Sequence, residues 1–498
     1  MPSPSLADRL ADGVELELHR AMQPRGAVIE VGDGVARVVG LPEVGSEELV
    51  AFDSGAIGMA YELAPDHTGV VLLGSADQVR AGEGAEARGT LPSLPVGPEL
   101  LGRIVDPLGR PLDERSTPAG PRLPIFRPAP ALIERAPVDR PLLTGVMVVD
   151  SAIPIGRGQR QLIVGDRNVG KTALALDVVA AQRAGDVTCV YVVIGQPISR
   201  VLSIREALEK RGALANTIII ASHAGDPPGL QYLAPYAGTT VAEELAERGQ
   251  DALVVFDDLT KHADAYRELA LLLGRSPGRE AFPGDIFYIH AQLLERVTAR
   301  AGTPHGGSLT AFPIVETTDS DISAYIPTNL ISITDGQIYL DTALFERNQR
   351  PAVDIGRSVS RVGGAAQRPS LRKTARNLRI VMSRFEALES LTRVGLDVDP
   401  ATRQAVERGR IMRELLRQPR FERRTVADQI LALTAVAEGW LDGTPPLRAR
   451  ATLRAATARV RAELPELMSA MDTEPELPGD EWRDLLHAIL QELAEAPP

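Results

Sequence analysis

The run Gly165-Asp166-Arg167-Asn168-Val169-Gly170-Lys171-Thr172 constrains this chain more than any other segment. It fits the pattern G-x-x-x-x-G-K-[ST], and both flanks suit it. Before it stands a short apolar run, Gln161-Leu162-Ile163-Val164. After it comes Ala173-Leu174-Ala175-Leu176-Asp177-Val178-Val179, rich in helix formers. A strand, a glycine loop and a helix N-terminus make a cradle whose backbone N–H groups close on phosphate oxygens at the positive end of the helix. Gly165 to Ala173 are therefore expected to hold the phosphates of a nucleotide. Lys171 would reach the outer phosphates and Thr172 would place its hydroxyl on Mg2+.

The rest of the chain must supply a sheet for that loop. A chain of 498 residues is long enough for two to four domains. With 44% hydrophobic and 24% charged residues it has the composition of a globular protein with several cores. The formal net charge of −12 argues against sequence-independent nucleic-acid binding, which needs a basic face. The single cysteine, Cys189, lies inside an apolar run, so no disulfide within the chain is expected. Residues 1–25 lack the apolar segment of a signal peptide, and no run of eighteen apolar residues exists to span a membrane.

The pattern predicts a multidomain α/β protein. Residues 5–22 read as an amphipathic helix, with Leu6, Leu10, Val14 and Leu18 at a four-residue step, within an N-terminal helical segment 1–25. Short alternating runs separated by glycines predict a β-barrel over 26–95, opening with a hairpin across Gly32-Asp33-Gly34. Residues 96–145 are proline-rich and irregular, with a turn at Asp106-Pro107-Leu108-Gly109. They lead into a nucleotide-binding domain over 96–370, a mostly parallel sheet whose buried strands include 187–194, 216–221 and 252–256. Ile286–Ile289 reads as another strand, and Asn329–Leu340 as a hairpin turning at Asp335-Gly336. From Leu371 the period becomes helical, with Ala375, Leu378, Met382, Phe385, Leu388 and Leu391, which predicts a helical domain over 371–498.

The strand Ala252-Leu253-Val254-Val255-Phe256 runs into Asp257-Asp258. An acid at the end of a buried strand downstream of a phosphate loop would help hold the phosphate-bridging Mg2+, and Asp257 is the expected residue. Asp258 would cap the following turn.

Several stretches resemble the alpha subunits of F-type ATP synthases, the non-catalytic nucleotide-binding subunits. They are Pro154-Ile155-Gly156-Arg157-Gly158-Gln159-Arg160, Tyr232-Leu233-Ala234-Pro235-Tyr236, Pro277 to Asp285, Pro327-Thr328-Asn329 through Ile338, and Ser358 to Gln367. The resemblance runs from about residue 26 to the end. It implies an alternating ring of alpha and beta subunits around a gamma shaft, held by a peripheral stalk. Such a motor couples ATP synthesis or hydrolysis to proton or sodium transport at the cytoplasmic face of a bacterial inner membrane, and this chain would meet the membrane only through other subunits. Gln196 stands where beta subunits place a glutamate. An amide cannot take a proton from the attacking water, so poor turnover at this chain's own site is expected. Arg361 matches the arginine finger that an alpha subunit lends to the neighbouring beta site, a device worth ~10³–10⁵ in rate. Phe345, Arg350, Pro351 and Gln418 match the adenine pocket, so the resemblance implies ATP or ADP as the nucleotide, and Ser332 and Gly336 lie near the alpha–beta catalytic interface in the family. The departures are Asn168 and Val169 in the loop, Ala291-Gln292 after Ile286–Ile289, and Arg420 where a second glutamine is usual. They point to a divergent branch, of which the alternative sodium-linked type is one.

Two other classes contend. A catalytic hexameric P-loop ATPase, beta-like or of the export-apparatus type, needs a carboxylate near Gln196. An RNA-translocating hexamer needs a basic, aromatic N-terminal barrel. Residues 26–95 instead carry many acids and only Phe52 and Tyr61 as aromatics.

Overall fold

The computed structural model describes residues 25–302, 306–393, 399–477, 479 and 481–495. The expected helix over 5–22 lies outside these residues.

Six antiparallel strands close a barrel. They are β1 (Arg25–Gly32), β2 (Val35–Val39), β3 (Leu49–Phe52), β4 (Ile57–Leu63), β5 (Thr68–Leu72) and β6 (Gly84–Ala87), in the order β1-β2-β5-β4-β3-β6. Gly32 pairs with Val35 across the two-residue turn Asp33-Gly34, where both residues have positive φ, 50° and 89°. That is the turn whose twist matches a hairpin. Val28, Val38, Val50, Phe52, Val70 and Leu72 fill the interior. The barrel ends earlier than residue 95. β7 (Ser93–Pro95) pairs outside it with β9 (Arg122–Pro124).

The irregular stretch 96–145 holds one element of the main sheet, β8 (Ile104–Val105), and the Asp106 turn closes by Gly109 N–H donating to Asp106 O at 2.9 Å. The sheet itself contains β10 (Leu162–Asp166), β11 (Val187–Gln196), β12 (Thr217–His223), β13 (Asp251–Asp257), β14 (Ser308–Thr317), β15 (Gly336–Leu340) and β16 (Val359–Ser360). Its order is β16-β15-β10-β14-β13-β11-β12-β8, parallel except for β16. Both faces are covered, as a parallel sheet requires. One core holds the helices Lys171–Ala181 and Ile198–Lys210 and continues into the C-terminal helices. The other holds Pro228–Glu247, Leu259–Leu272 and Ile286–Leu294, with the barrel residues Val35, Met59 and Val71. Cys189 is buried in the first core.

Three further expectations need correction. Ile286–Ile289 is not a strand but the first turn of the helix Ile286–Leu294. A four-residue apolar run does not separate the two states, and here Ile286, Ile289, His290, Leu293 and Leu294 are buried at helical spacing. Nor is Asn329–Leu340 a hairpin. Its first half belongs to the helix Tyr325–Ile333, whose Ile326, Leu330 and Ile333 face inward, and only Gly336–Leu340 is a strand. Asp335-Gly336 therefore joins a helix to β15, and Arg160 holds the Asp335 carboxylate through its backbone N–H and its guanidinium. The helical run from 371 is also broken, into Pro369–Ala375 and Leu378–Arg393. Helices fill the described C-terminal region through Glu481–Glu495.

A buried ion pair ties the sheet's second face to the linking segment. Arg296, whose side chain is fully buried, donates to both carboxylate oxygens of Glu243 (2.9 and 2.6 Å), to Thr240 Oγ1 and to Ile125 O. Removing Arg296 leaves the buried Glu243 carboxylate with only the longer contact from Arg127, at 3.4 Å, which compensates the buried charge poorly. Arg296→Ala should lower stability by about 3–5 kcal/mol in chemical denaturation.

In the same core His262 and His290 lie with ring centroids 5.7 Å apart, and His262 stacks on Tyr232 at 5.4 Å. Their ring nitrogens have no hydrogen-bond partner. Burial pushes His290 down to about 4 and His262 well below the ordinary histidine range, with the His262–His290 contact adding to the latter. Both stay neutral when folded and take up protons when unfolded. Stability from this pair is full above the unfolded value of about 6.5 and declines as pH falls from there towards 4. His290 alone should account for a loss of about 3 kcal/mol by pH 4. His290→Gln, which removes the titration, should flatten that part of a stability–pH profile.

Candidate nucleotide site

The carboxyl ends of β10, β11, β13 and β14 converge on a cleft of about 700 Å³. This is where an open parallel sheet binds ligands. Its walls include Arg167, Asn168, Gly170, Lys171, Thr172 and Ala173 from the loop, Gln196 from β11, Asp257 from β13 and Glu316 from β14. The loop turns through Asn168 (φ 66°) and Gly170 (φ 102°) into the helix Lys171–Ala181. A side chain at Gly165 would bring its Cβ to 2.5 Å from Leu340 O, so the loop's first glycine is fixed by its approach to β15. Val169 is buried beneath the loop.

The Lys171 ammonium donates to Gly165 O (2.9 Å) and Asp166 O (2.6 Å) and stands 3.5 Å from Glu316 Oε1. Burial lowers its pKa, partly offset by Glu316, Asp258 and Asp257. Thr172 Oγ1 donates to Asp257 Oδ2 at 2.9 Å, and the buried Tyr191 hydroxyl donates to the same oxygen at 2.8 Å. A hydroxyl and a carboxylate side by side below a phosphate loop are hard oxygen donors suited to Mg2+. The first N–H groups of the helix Lys171–Ala181 have no intrahelical acceptor, which suits phosphate oxygens. The residues present therefore fit a magnesium–nucleotide.

The second acid of the pair acts differently. Asp258 Oδ1 accepts from Lys261 N–H at 2.9 Å and caps the helix Leu259–Leu272. Its Oδ2 accepts from Gln196 Nε2 at 3.2 Å. Burial, then the neighbouring Asp257, pushes Asp258 up to about 7. Burial also raises Asp257, against the hydrogen bonds from Tyr191 and Thr172.

Beside the cleft lies a second pocket of about 370 Å³. It gathers Phe345, Arg350, Pro351 and Gln418, together with Asn168, Ala173, Asp177 and Arg420. The Arg350 guanidinium lies over the Phe345 ring at 4.8 Å. The Gln418 amide is already engaged. It accepts from Met147 N–H at 3.0 Å and donates to Gly145 O at 2.7 Å and to Glu422 O. A flat ligand here would meet the side of the Gln418 side chain, both of whose amide hydrogens are already committed.

Arg361, Ser332 and Gly336 lie apart from both cavities. Arg361 N–H donates to Asp335 O at 2.9 Å, and its exposed guanidinium lies near Thr334 O and Ile331 O at 3.4 and 3.5 Å. Ser332 is exposed, with Oγ donating to Asn329 O. At Gly336 a Cβ would stand 2.2 Å from Val359 O, so β15 and β16 meet there only over a glycine.

Sequence reasoning missed Glu316, Tyr191 and the anchoring role of Asp166. Glu316 follows an apolar strand that ends in an acid, the same signal that marked Asp257. Tyr191 had no signal beyond its place in a buried run. The Asp166 carboxylate accepts from Thr317 Oγ1 (2.6 Å), Ser320 N–H and Oγ (both 2.8 Å) and Thr342 Oγ1 (2.8 Å). Burial would raise it, but these bonds hold it below the usual carboxylate range.

Loop, Mg2+-type oxygen pair and parallel sheet together define a P-loop nucleotide-binding protein with a RecA-like core. Comparison with family models matches the ATP synthase alpha/beta β-barrel domain over residues 22–89, the nucleotide-binding domain over 145–360 and the C-terminal domain over 367–493. ATP synthase subunit alpha 1 of Rhodopirellula baltica is 50% identical, over 91% of this chain and 90% of that protein. ATP synthase subunit alpha 2 of Syntrophus aciditrophicus is 48% identical, over 95% and 91%. The chain belongs to the ATP synthase alpha/beta family, on its alpha side.

Asp166→Ala would strand four donors that brace the loop from β14, from the turn after it and from the helix Thr342–Glu346. It should cost about 2–3 kcal/mol of stability, read by chemical denaturation, and weaken nucleotide binding, read as a smaller thermal shift on adding Mg-ATP.

Proposed function

We propose that this chain is an alpha-type subunit of a rotary F-type ATP synthase that binds Mg-ATP at its own cleft, turns it over poorly, and lends Arg361 to a neighbouring beta subunit. The observation that carries this reading is the separation of the two chemistries. The phosphate-binding residues face one cleft, while Arg361 stands exposed outside it, braced by the backbone of 331–335.

At the chain's own site Lys171 and the loop N–H groups would hold the phosphates, and Thr172 with Asp257 would hold Mg2+. Bound magnesium would neutralise phosphate charge there. Gln196 lies at the rim, its amide donating to Asp258. An amide orients water without accepting its proton. Arg361, delivered across an interface, would stabilise charge on the phosphoryl group of the partner's nucleotide. In this reading alternating alpha and beta subunits form a hexameric ring around a gamma shaft, joined to a peripheral stalk. The ring works at the cytoplasmic face of a bacterial inner membrane, coupled to proton or sodium flow through other subunits. Among the described residues no helix is long and apolar enough to cross a membrane.

Glu316 favours a second reading, catalysis at this chain's own cleft. Its carboxylate lines the cleft 3.5 Å from Lys171 Nζ, where a proton acceptor would be useful. The same ion pair argues against it, since Glu316 is engaged by Lys171 and, at 3.5 Å, by Arg167.

The test is steady-state ATP hydrolysis by the complete complex. Arg361→Ala should lower turnover by about 10³-fold or more, while Lys171→Ala and Glu316→Gln should leave a milder or slower-onset defect. Abolition of turnover by Lys171→Ala or Glu316→Gln in an intact assembly, with Arg361→Ala near normal, would make this chain the catalyst.

A further inference from the structure

The pocket beside the phosphate cleft is built from donors. Arg420 lines both cavities and so lies at their junction. Its guanidinium stacks on the Phe421 ring at 4.6 Å, and Arg211 stacks on that ring at 4.7 Å. Among the described residues no carboxylate pairs with Arg420, so its fork of N–H donors is available. Arg350, stacked on Phe345, is a second such fork. Among the described residues the acid lining this pocket is Asp177, whose Oδ1 accepts from Phe421 N–H at 3.0 Å. Burial raises it to about 6, so near pH 7.5 it is ionised and only accepts. The Gln418 amide is committed to the backbone of Gly145, Met147 and Glu422. The remaining amide, Asn168, sits on the phosphate loop itself.

These groups bear on which base fits. A 6-oxopurine presents two acceptors, O6 and N7, on one edge, and a guanidinium fork matches both. Adenine presents N7 as an acceptor beside the N6 amino donor, which matches an amide and sets donor against donor at a guanidinium. The N1–H and N2–H donors of guanine would find an acceptor in Asp177.

We propose that Arg420 sets the base preference of this site, so that it takes 6-oxopurine nucleoside triphosphates at least as well as ATP. This rests on the reading of the cleft as a nucleotide site and specifies its ligand.

The experiment is displacement of ribose-labelled methylanthraniloyl-ATP from the full chain, with Mg2+, by ATP and by GTP. GTP should displace the probe at concentrations no higher than ATP. Arg420→Gln should weaken GTP about tenfold relative to ATP, the scale of one bidentate base contact. Arg420→Lys should do the same, because lysine keeps the charge and loses the fork. An unchanged GTP-to-ATP ratio in both variants overturns the proposal. So does an equal loss of both nucleotides in Arg420→Gln that Arg420→Lys restores, which would assign Arg420 to the phosphates. Lys171→Ala separates the two layers. Loss of probe binding supports the cleft as the nucleotide site, and retained binding overturns that reading itself. Arg420 is exposed, and matching thermal unfolding of the variants checks that they fold.

Discussion

Parallel pairing of β10 between β14 and β15 is the constraint on which the site depends. Because the strands run the same way, their carboxyl ends lie on one edge. Residues far apart in sequence, at 166, 196, 257 and 316, are delivered there by backbone register alone. Asp166 then locks the edge, joining β10 to the turn after β14 and to the helix after β15. The loop is thus braced before any nucleotide arrives, and preorganisation of this kind reduces the ordering that binding must impose.

Buried charge is handled differently on the two sides of the sheet. Arg296 and Glu243 neutralise each other deep in one core, whereas the acids of the cleft face one another with only partial compensation. Asp257 and Asp258 are adjacent, buried and raised in pKa, an arrangement that favours a cation among them. Structural pairing supports the scaffold, and incomplete pairing marks the binding edge.

The loop, its flanking strand and helix, the buried strands at 187–194 and 252–256 and the barrel hairpin were legible because each pairs a periodic pattern with a turn residue of defined geometry. Asp258 as a cap was legible for the same reason. The segment 325–340 was not. Its apolar residues suit strand and helix alike, and Asp-Gly punctuates a helix-to-strand junction as readily as a hairpin. Tertiary burial of Ile326, Leu330 and Ile333 settled it. Glu316 and the Asp166 anchor depend on which strands become neighbours, and strand order is not written in local pattern. The commitment of the Gln418 amide to backbone groups was invisible for the same reason.

The core on the phosphate-loop side of the sheet runs without interruption from the helix Lys171–Ala181 into the C-terminal helices, including Phe385, Leu415, Leu431 and Trp482. The barrel keeps an interior of its own and joins the opposite face of the sheet through Val35, Met59 and Val71. Mechanically the molecule is therefore a lever fixed to a collar. Closely packed interiors are stiff and transmit strain. Strain imposed where the loop meets a ligand would therefore act on a body continuous with the C-terminal helices.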